Sequence, residues 1–158
     1  MLRKSWLVSL FAVCALGCAE SGTKPQPAAG DNATKEAPKP SVADFEKLVV
    51  AVTAAVNDWA AAWAARDIPR YLAFYAPDFG PEHGTRAEWE RLRRERIGKA
   101  ARLSITLSEL QVTSYSPGRA TANFVQSYES ENNSDKSRKT LELRDIGGRW
   151  LITREYTR

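Results

Sequence analysis

The chain has 158 residues, with 23 lysines and arginines against 19 aspartates and glutamates, a formal charge of +4, two cysteines and one histidine. That length holds one domain once non-globular segments are set aside. The sole histidine, His83, lies in a Gly/Pro-rich loop, which argues against a histidine-based triad, and one histidine cannot make a multi-histidine metal site, so neither a metal nor another cofactor is expected.

Met1 to Lys4 is short and positive, and Trp6 to Leu16 is apolar apart from Ser9. This is a signal-peptide pattern, and the run is about half of the roughly 20 apolar residues that a permanent span requires. Ala15-Leu16-Gly17-Cys18 resembles the bacterial lipobox, with alanine at the position where leucine is most common. Cys14 fits less well, because Val13 precedes it where a small residue is needed. The resemblance implies that residues 1–17 are removed and that Cys18 is diacylated, an attachment that two or three chains make effectively permanent. Ala19 would be the second mature residue, where aspartate marks retention in the inner membrane. The implied location is therefore the periplasmic face of the outer membrane. An ordinary secretory signal or an uncleaved anchor is the competing reading. Cleavage lowers the charge to about +2 and leaves no cysteine in the folded part, which argues against nucleic acid as a partner and removes disulfide and thiolate chemistry.

Residues 18–40 hold Pro25, Pro27, Pro38 and Pro40 and no aromatic or large aliphatic residue. Such a segment cannot bury enough apolar surface to offset chain entropy, so a disordered linker is expected, spanning roughly 25 Å. The remaining residues, 41–158, are expected to form the domain.

Ser41 and Asp44 make a capping box, and Phe45, Leu48, Val49, Val52, Val56, Trp59 and Trp63 recur at intervals of three and four. They predict a helix over about residues 42 to 66. Asp67-Ile68-Pro69 ends it and starts a second, short helix from Pro69 to Tyr75, followed by a Pro/Gly-rich loop. A further capping box, Thr85 with Glu88, opens a third helix through Lys99. Trp89, Leu92, Arg96 and Ile97 form its inner face, and Arg91, Arg93, Arg94 and Glu95 are placed in solvent. The period then becomes two. Leu103, Ile105 and Leu107 alternate, and the phase slips at Ser108-Glu109 before Leu110 and Val112, as a β-bulge would require. Strands follow at Arg119 to Ser130, Arg138 to Asp145 and Trp150 to Tyr156. Pro117-Gly118 and Gly147-Gly148 are read as hairpin turns and Glu131 to Ser137 as a polar loop. The fold class is α+β, three N-terminal helices on a bent four-stranded antiparallel sheet.

Trp63 before Asp67, Tyr71 with Phe74-Tyr75, Trp89 with Arg96-Ile97, Phe124 to Tyr128, Lys139-Thr140-Leu141 and Gly148 to Ile152 with Glu155 resemble the cone-shaped nuclear-transport-factor-2-like (cystatin-like) domain. They look most like the version at the C-terminus of periplasmic L,D-transpeptidases, and the resemblance runs from Val42 to Arg158. It implies a pocket between the sheet and the long first helix.

On the second strand Ala120, Ala122, Phe124, Gln126 and Tyr128 share one face, the candidate concave one, and Thr121, Asn123, Val125, Ser127 and Glu129 share the other. Gln126 and Tyr128 would bring an amide and a hydroxyl into the pocket, or satisfy each other in a filled core. Glu155 could approach from the last strand and pair with Arg96, an arrangement more often structural than catalytic. Tyr71, Tyr75, Trp63 and Trp89 read first as core, with the tyrosines able to stack on a ligand at the pocket mouth. Arg154 reads as a solvated strand residue. Candidate ligand-binding residues are thus Tyr71, Tyr75, Trp89, Arg96, Gln126, Tyr128 and Glu155, with Cys18 the lipidation site. No aspartate is placed to act as the base that some enzymes of this fold use. The expected function is non-catalytic binding of a cell-envelope ligand or partner, with peptidoglycan suggested by the resemblance. The alternatives are a small isomerase or hydrolase using Tyr128 and Glu155, or a homodimer through the outer sheet face.

Overall fold

The computed structural model describes residues 41–99 and 102–158. The signal peptide, Cys18 and the linker lie outside the described residues.

Helix α1 runs over Val42–Ala64, and its capping box is formed: Asp44 N–H donates to Ser41 Oγ at 3.2 Å, and Asp44 Oδ2 accepts from Ser41 N at 3.3 Å. The apolar stripe is buried from Val52 through Val56, Trp59 and Trp63. Val42 and Phe45 at its start are exposed, so the periodicity begins before the packing does. A Schellman turn ends the helix, with Asp67 N–H on Ala62 O (3.0 Å), Arg66 N–H on Trp63 O (2.9 Å) and Arg66 at φ 58°. None of the described helices is long and apolar enough to cross a membrane.

Asp67 caps α2 (Ile68–Leu72) by accepting from Arg70 N–H at 3.1 Å. The helix is shorter than the expected 69–75, because Phe74 and Ala76 give their backbone groups to the sheet. Ile152 N–H donates to Phe74 O (2.8 Å) and Ala76 N–H to Ile152 O (2.9 Å). Helix α3 (Arg86–Lys99) starts at the predicted Thr85/Glu88 box, in which Glu88 Oε2 accepts from Thr85 N at 2.9 Å. Arg86 bonds Ala76 O and Pro77 O, tying the helix start to the preceding loop.

The sheet is an antiparallel meander in the order β1 (Leu103–Ser116), β2 (Arg119–Ser130), β3 (Ser134–Ile146) and β4 (Arg149–Thr157). Between β1 and β2 the register passes from Ser108↔Val125 to Gln111↔Asn123, and Glu109 has φ 55°. The inserted residue is where the alternation slips, and it bends the sheet. Gly147 and Gly148, at φ 63° and 79°, have the left-handed backbone that a two-residue hairpin turn demands. The segment expected as a loop, Glu131 to Ser137, is mostly strand. Tyr128↔Asp135 and Gln126↔Ser137 are paired, and only residues 131–133 turn the chain. Its polarity reflects exposed strand residues rather than the absence of a ladder.

Ala120, Ala122, Phe124, Gln126 and Tyr128 are all buried, facing α1, while Asn123 and Glu129 are exposed on the outer face. In register with the buried set, β3 contributes Leu143, Leu141 and Lys139. The core between helices and sheet is centred on Trp59, Trp63, Tyr71, Ile97, Leu141 and Ile152.

Candidate functional site

Rings occupy the interior of the wedge. Trp59 lies 5.5 Å from Trp63, 6.0 Å from Tyr71 and 6.1 Å from Phe124 between centroids, and Trp63 lies 6.1 Å from Tyr128. A second group continues toward the loop, with Tyr75 at 4.5 Å from Trp89 and 4.7 Å from Phe79. These are edge-to-face or tilted contacts at ordinary aromatic packing distance. Of the expected pocket residues, Tyr71, Tyr75, Gln126 and Tyr128 are therefore packed inside. Gln126 Oε1 and Trp63 Nε1 are buried there without a hydrogen-bond partner among the described residues.

Glu155 is the polar centre of this interior. Its Oε2 accepts from Tyr75 OH at 2.9 Å, and its Oε1 accepts from Lys139 Nζ at 2.8 Å and Arg93 Nη2 at 3.4 Å. Tyr75 spends its only proton on Glu155, so its oxygen accepts from Trp59 Nε1 (3.1 Å) and from Tyr71 OH (2.7 Å). Burial alone would push the Glu155 carboxyl up. The charges of Arg93 and Lys139, with the hydrogen bonds from Lys139 and Tyr75, outweigh it and hold the group below its usual range. Burial, and after it the Glu155 charge, pushes the Tyr71 and Tyr75 phenols well above theirs, so both stay neutral donors.

The partner of Glu155 differs from the expected one. Arg96 is exposed, its guanidinium 5.0 Å from the Tyr128 ring centroid, whereas Arg93, placed in solvent from its helical position, points inward between Trp63 and Trp89 at 5.8 and 5.4 Å. The inner stripe of α3 is Trp89, Arg93 and Ile97 at steps of four, and a stripe containing a charge is read as surface unless its buried partner is known. Lys139 escaped notice too, although it alternates in phase with the buried Leu141 and Leu143. Arg154 is exposed as expected and donates to Gly80 O at 3.2 Å.

Two clefts flank α3. The larger, about 490 Å³, is lined among the described residues by Trp89, Leu92, Arg93, Glu95, Arg96 and Lys99. The smaller, about 160 Å³, lies between the loop bearing Phe79 and His83, α3 and the end of β4, and reaches Glu155. Leu92 is 54% exposed, an unusual setting for a leucine on a helix that otherwise carries charges outward. Among the described residues no cluster of histidine, cysteine or acidic side chains could hold a metal ion.

The chain matches the model of the family described as the Cds6 C-terminal NTF2-like domain over residues 51–156. No curated protein sequence matches it. Its structure is similar to that of Bd1075 from Bdellovibrio bacteriovorus, with a TM-score of 0.66 and 23% identity over 74% of this chain and 42% of that one. The helical cell shape determining protein Pgp2 from Campylobacter jejuni gives 0.62 and 17%, covering 68% of this chain and 40% of that one. An NTF2-like protein of unknown function from Pseudomonas putida gives 0.62 and 19%, covering 71% and 86%. This chain thus spans less than half the length of Bd1075 and Pgp2, and at these identities the likeness is one of fold. With the family matched along two-thirds of its length, and with the helices, bent meander and filled wedge just described, the chain belongs to the Cds6 C-terminal NTF2-like domain family.

Proposed function

We propose that this protein is a lipid-anchored lipoprotein on the periplasmic face of the outer membrane, and that its domain binds an anionic cell-envelope ligand, without catalysis, in the groove along α3. The observation that carries the reading is the groove's lining: Trp89 and exposed Leu92 form an apolar floor, Arg93 and Lys99 are paired with Glu155 and Glu95, and Arg96 adds a cation that neither acid pairs. Its volume, about 490 Å³, falls in the range usual for small-ligand sites. Arg96 has no acidic partner among the described residues and presents its guanidinium, backed by the Tyr128 ring, to a carboxylate. Peptidoglycan stem peptides carry such carboxylates. The resemblance to the domain attached to periplasmic L,D-transpeptidases and the fold likeness to a cell shape determining protein support that choice of ligand.

Titration of the full chain in detergent micelles with purified soluble muropeptides is expected to shift the Trp89 indole resonance saturably. Arg96→Ala should weaken binding about 10- to 100-fold, the cost of one charge-assisted hydrogen bond. Shifts confined to Gln126 and Tyr128 would move the ligand into the wedge, and no shift at all would end the proposal. The anchor has its own measurement: mass spectrometry of the membrane-extracted protein should find a mature N-terminus at Cys18 carrying acyl chains, and an unmodified N-terminus would remove the proposed address.

A further inference from the structure

We propose that a further cleft, between α1 and the β3–β4 hairpin, is a saccharide site that takes one neutral sugar ring of a polysaccharide. It shares no residue with the groove along α3, and the inference stands whether or not that groove binds an anion.

The cleft measures about 260 Å³, just below the range for drug-sized ligands and of a size for a monosaccharide ring. Its floor on α1 is Ala51, Ala54 and Ala55, side chains too small to fill it. Trp150 and Phe74 form the wall on the other side. Both are only partly buried, packed on the core from outside, and neither joins the ring network that absorbs Trp59, Trp63 and Trp89. An aromatic face bordered by small residues is where the C–H face of a sugar packs, because the ring's negative face attracts those hydrogens.

The polar groups at the rim decide the class of ligand. Asp58 from α1 and Arg149 from the hairpin line the same cleft. Each is steadied from one side, Asp58 Oδ1 by Arg70 Nη2 at 3.3 Å and Arg149 Nη2 by Ala73 O at 3.3 Å, which leaves Asp58 Oδ2 and the remaining Arg149 donors for a ligand. An acceptor and a set of donors across a ring-sized gap match the hydroxyls of a sugar, each of which both donates and accepts. The two opposite charges leave no net preference for an ion: Asp58 repels an anion and Arg149 a cation. The groove along α3, where no acid pairs Arg96 among the described residues, lacks this balance.

The test is an NMR titration of the full chain in detergent micelles with two probes, tetra-N-acetylchitotetraose and cellotetraose, followed at the tryptophan indoles. At least one probe is expected to shift the Trp150 indole saturably, with a dissociation constant on the order of 1 mM, while the Trp89 indole stays in place. Trp150→Ala should weaken binding by about tenfold or more. Because that change also removes packing, Ala54→Arg on the exposed side of α1 provides the control. It should plug the cleft and abolish the Trp150 shift while the rest of the spectrum is preserved. The inference is overturned if neither sugar moves Trp150, if Trp89 moves instead, or if the shift survives in Ala54→Arg.

Discussion

Glu155→Gln is expected to destabilise the domain by about 3 kcal/mol, because it leaves buried Lys139 and partly buried Arg93 without their counter-charge. Lys139 and Glu155 side chains are 6% and 5% exposed, so water cannot replace the lost carboxylate at Lys139, and at Arg93, 18% exposed, it replaces it only in part. The amide keeps the shape and can still accept from Tyr75, but its NH2 group then faces the Lys139 and Arg93 donors, so an acceptor is lost together with the charge. Urea unfolding measured between pH 7 and pH 3 separates the roles. Since the folded-state pKa of Glu155 is depressed, its stabilising contribution is complete above the ordinary glutamate value of 4.5 and is lost as pH falls through the depressed folded value. The wild type should therefore lose stability below pH 4.5 more steeply than Glu155→Gln, whose residue at 155 does not titrate. A variant as stable as the wild type, yet lacking a pH-dependent activity that the wild type has, would instead make Glu155 the acid or base of a small pocket enzyme, with the 160 Å³ cleft as its entrance.

Trp59→Ala should cost about as much, roughly 3–5 kcal/mol, for a different reason. Trp59 is fully buried, touches the rings of Trp63, Tyr71 and Phe124, and donates its indole N–H to Tyr75. Truncation leaves a cavity in a packed interior and deprives Tyr75 of one donor, which the neighbouring rings cannot restore without leaving their own contacts. For a domain whose total stability is of order 5–15 kcal/mol this is a large fraction, and a fall in the thermal midpoint by 10 °C or more is the expected reading. Trp59→Phe, which keeps most of the volume, should recover more than half of the loss. If Trp59→Ala unfolds within about 1 kcal/mol of the wild type, the interior is not the filled wedge described above.

The contrast between the two residues explains where ligands can and cannot bind. Small side chains on β2, Ala120 and Ala122, suggest space when the strand is considered alone, but both are fully buried in the same core cluster as Trp59 and Trp63 from α1, whose rings meet Phe124 and Tyr128 of that strand. Open clefts lie outside the wedge, among them those along α3 and beside the β3–β4 hairpin, where helix surfaces meet loops whose positions no local pattern specifies.

Elements with a local cause were legible from the chain alone. The capping boxes at Ser41 and Thr85 locate helix starts because the bonds join residues three apart. The bulge at Glu109 shows as a slip of alternation because side chains must keep facing the core. Gly147-Gly148 marks a turn because both positions need positive φ. The α+β class follows from the change of period after α3. Other features needed the tertiary structure. A partner for Glu155 could be chosen among Arg93, Arg96 and Lys139 only once α3 was rotated against β3 and β4, since nothing local says which face of a charged helix is inward. The stop of α2 at Leu72 depends on Ile152, eighty residues away, and the strand from Ser134 depends on its register with β2. Hydrogen bonds and ion pairs between distant segments leave no periodicity in either segment, and for that reason the polar centre and the open clefts emerged only when the chain was folded.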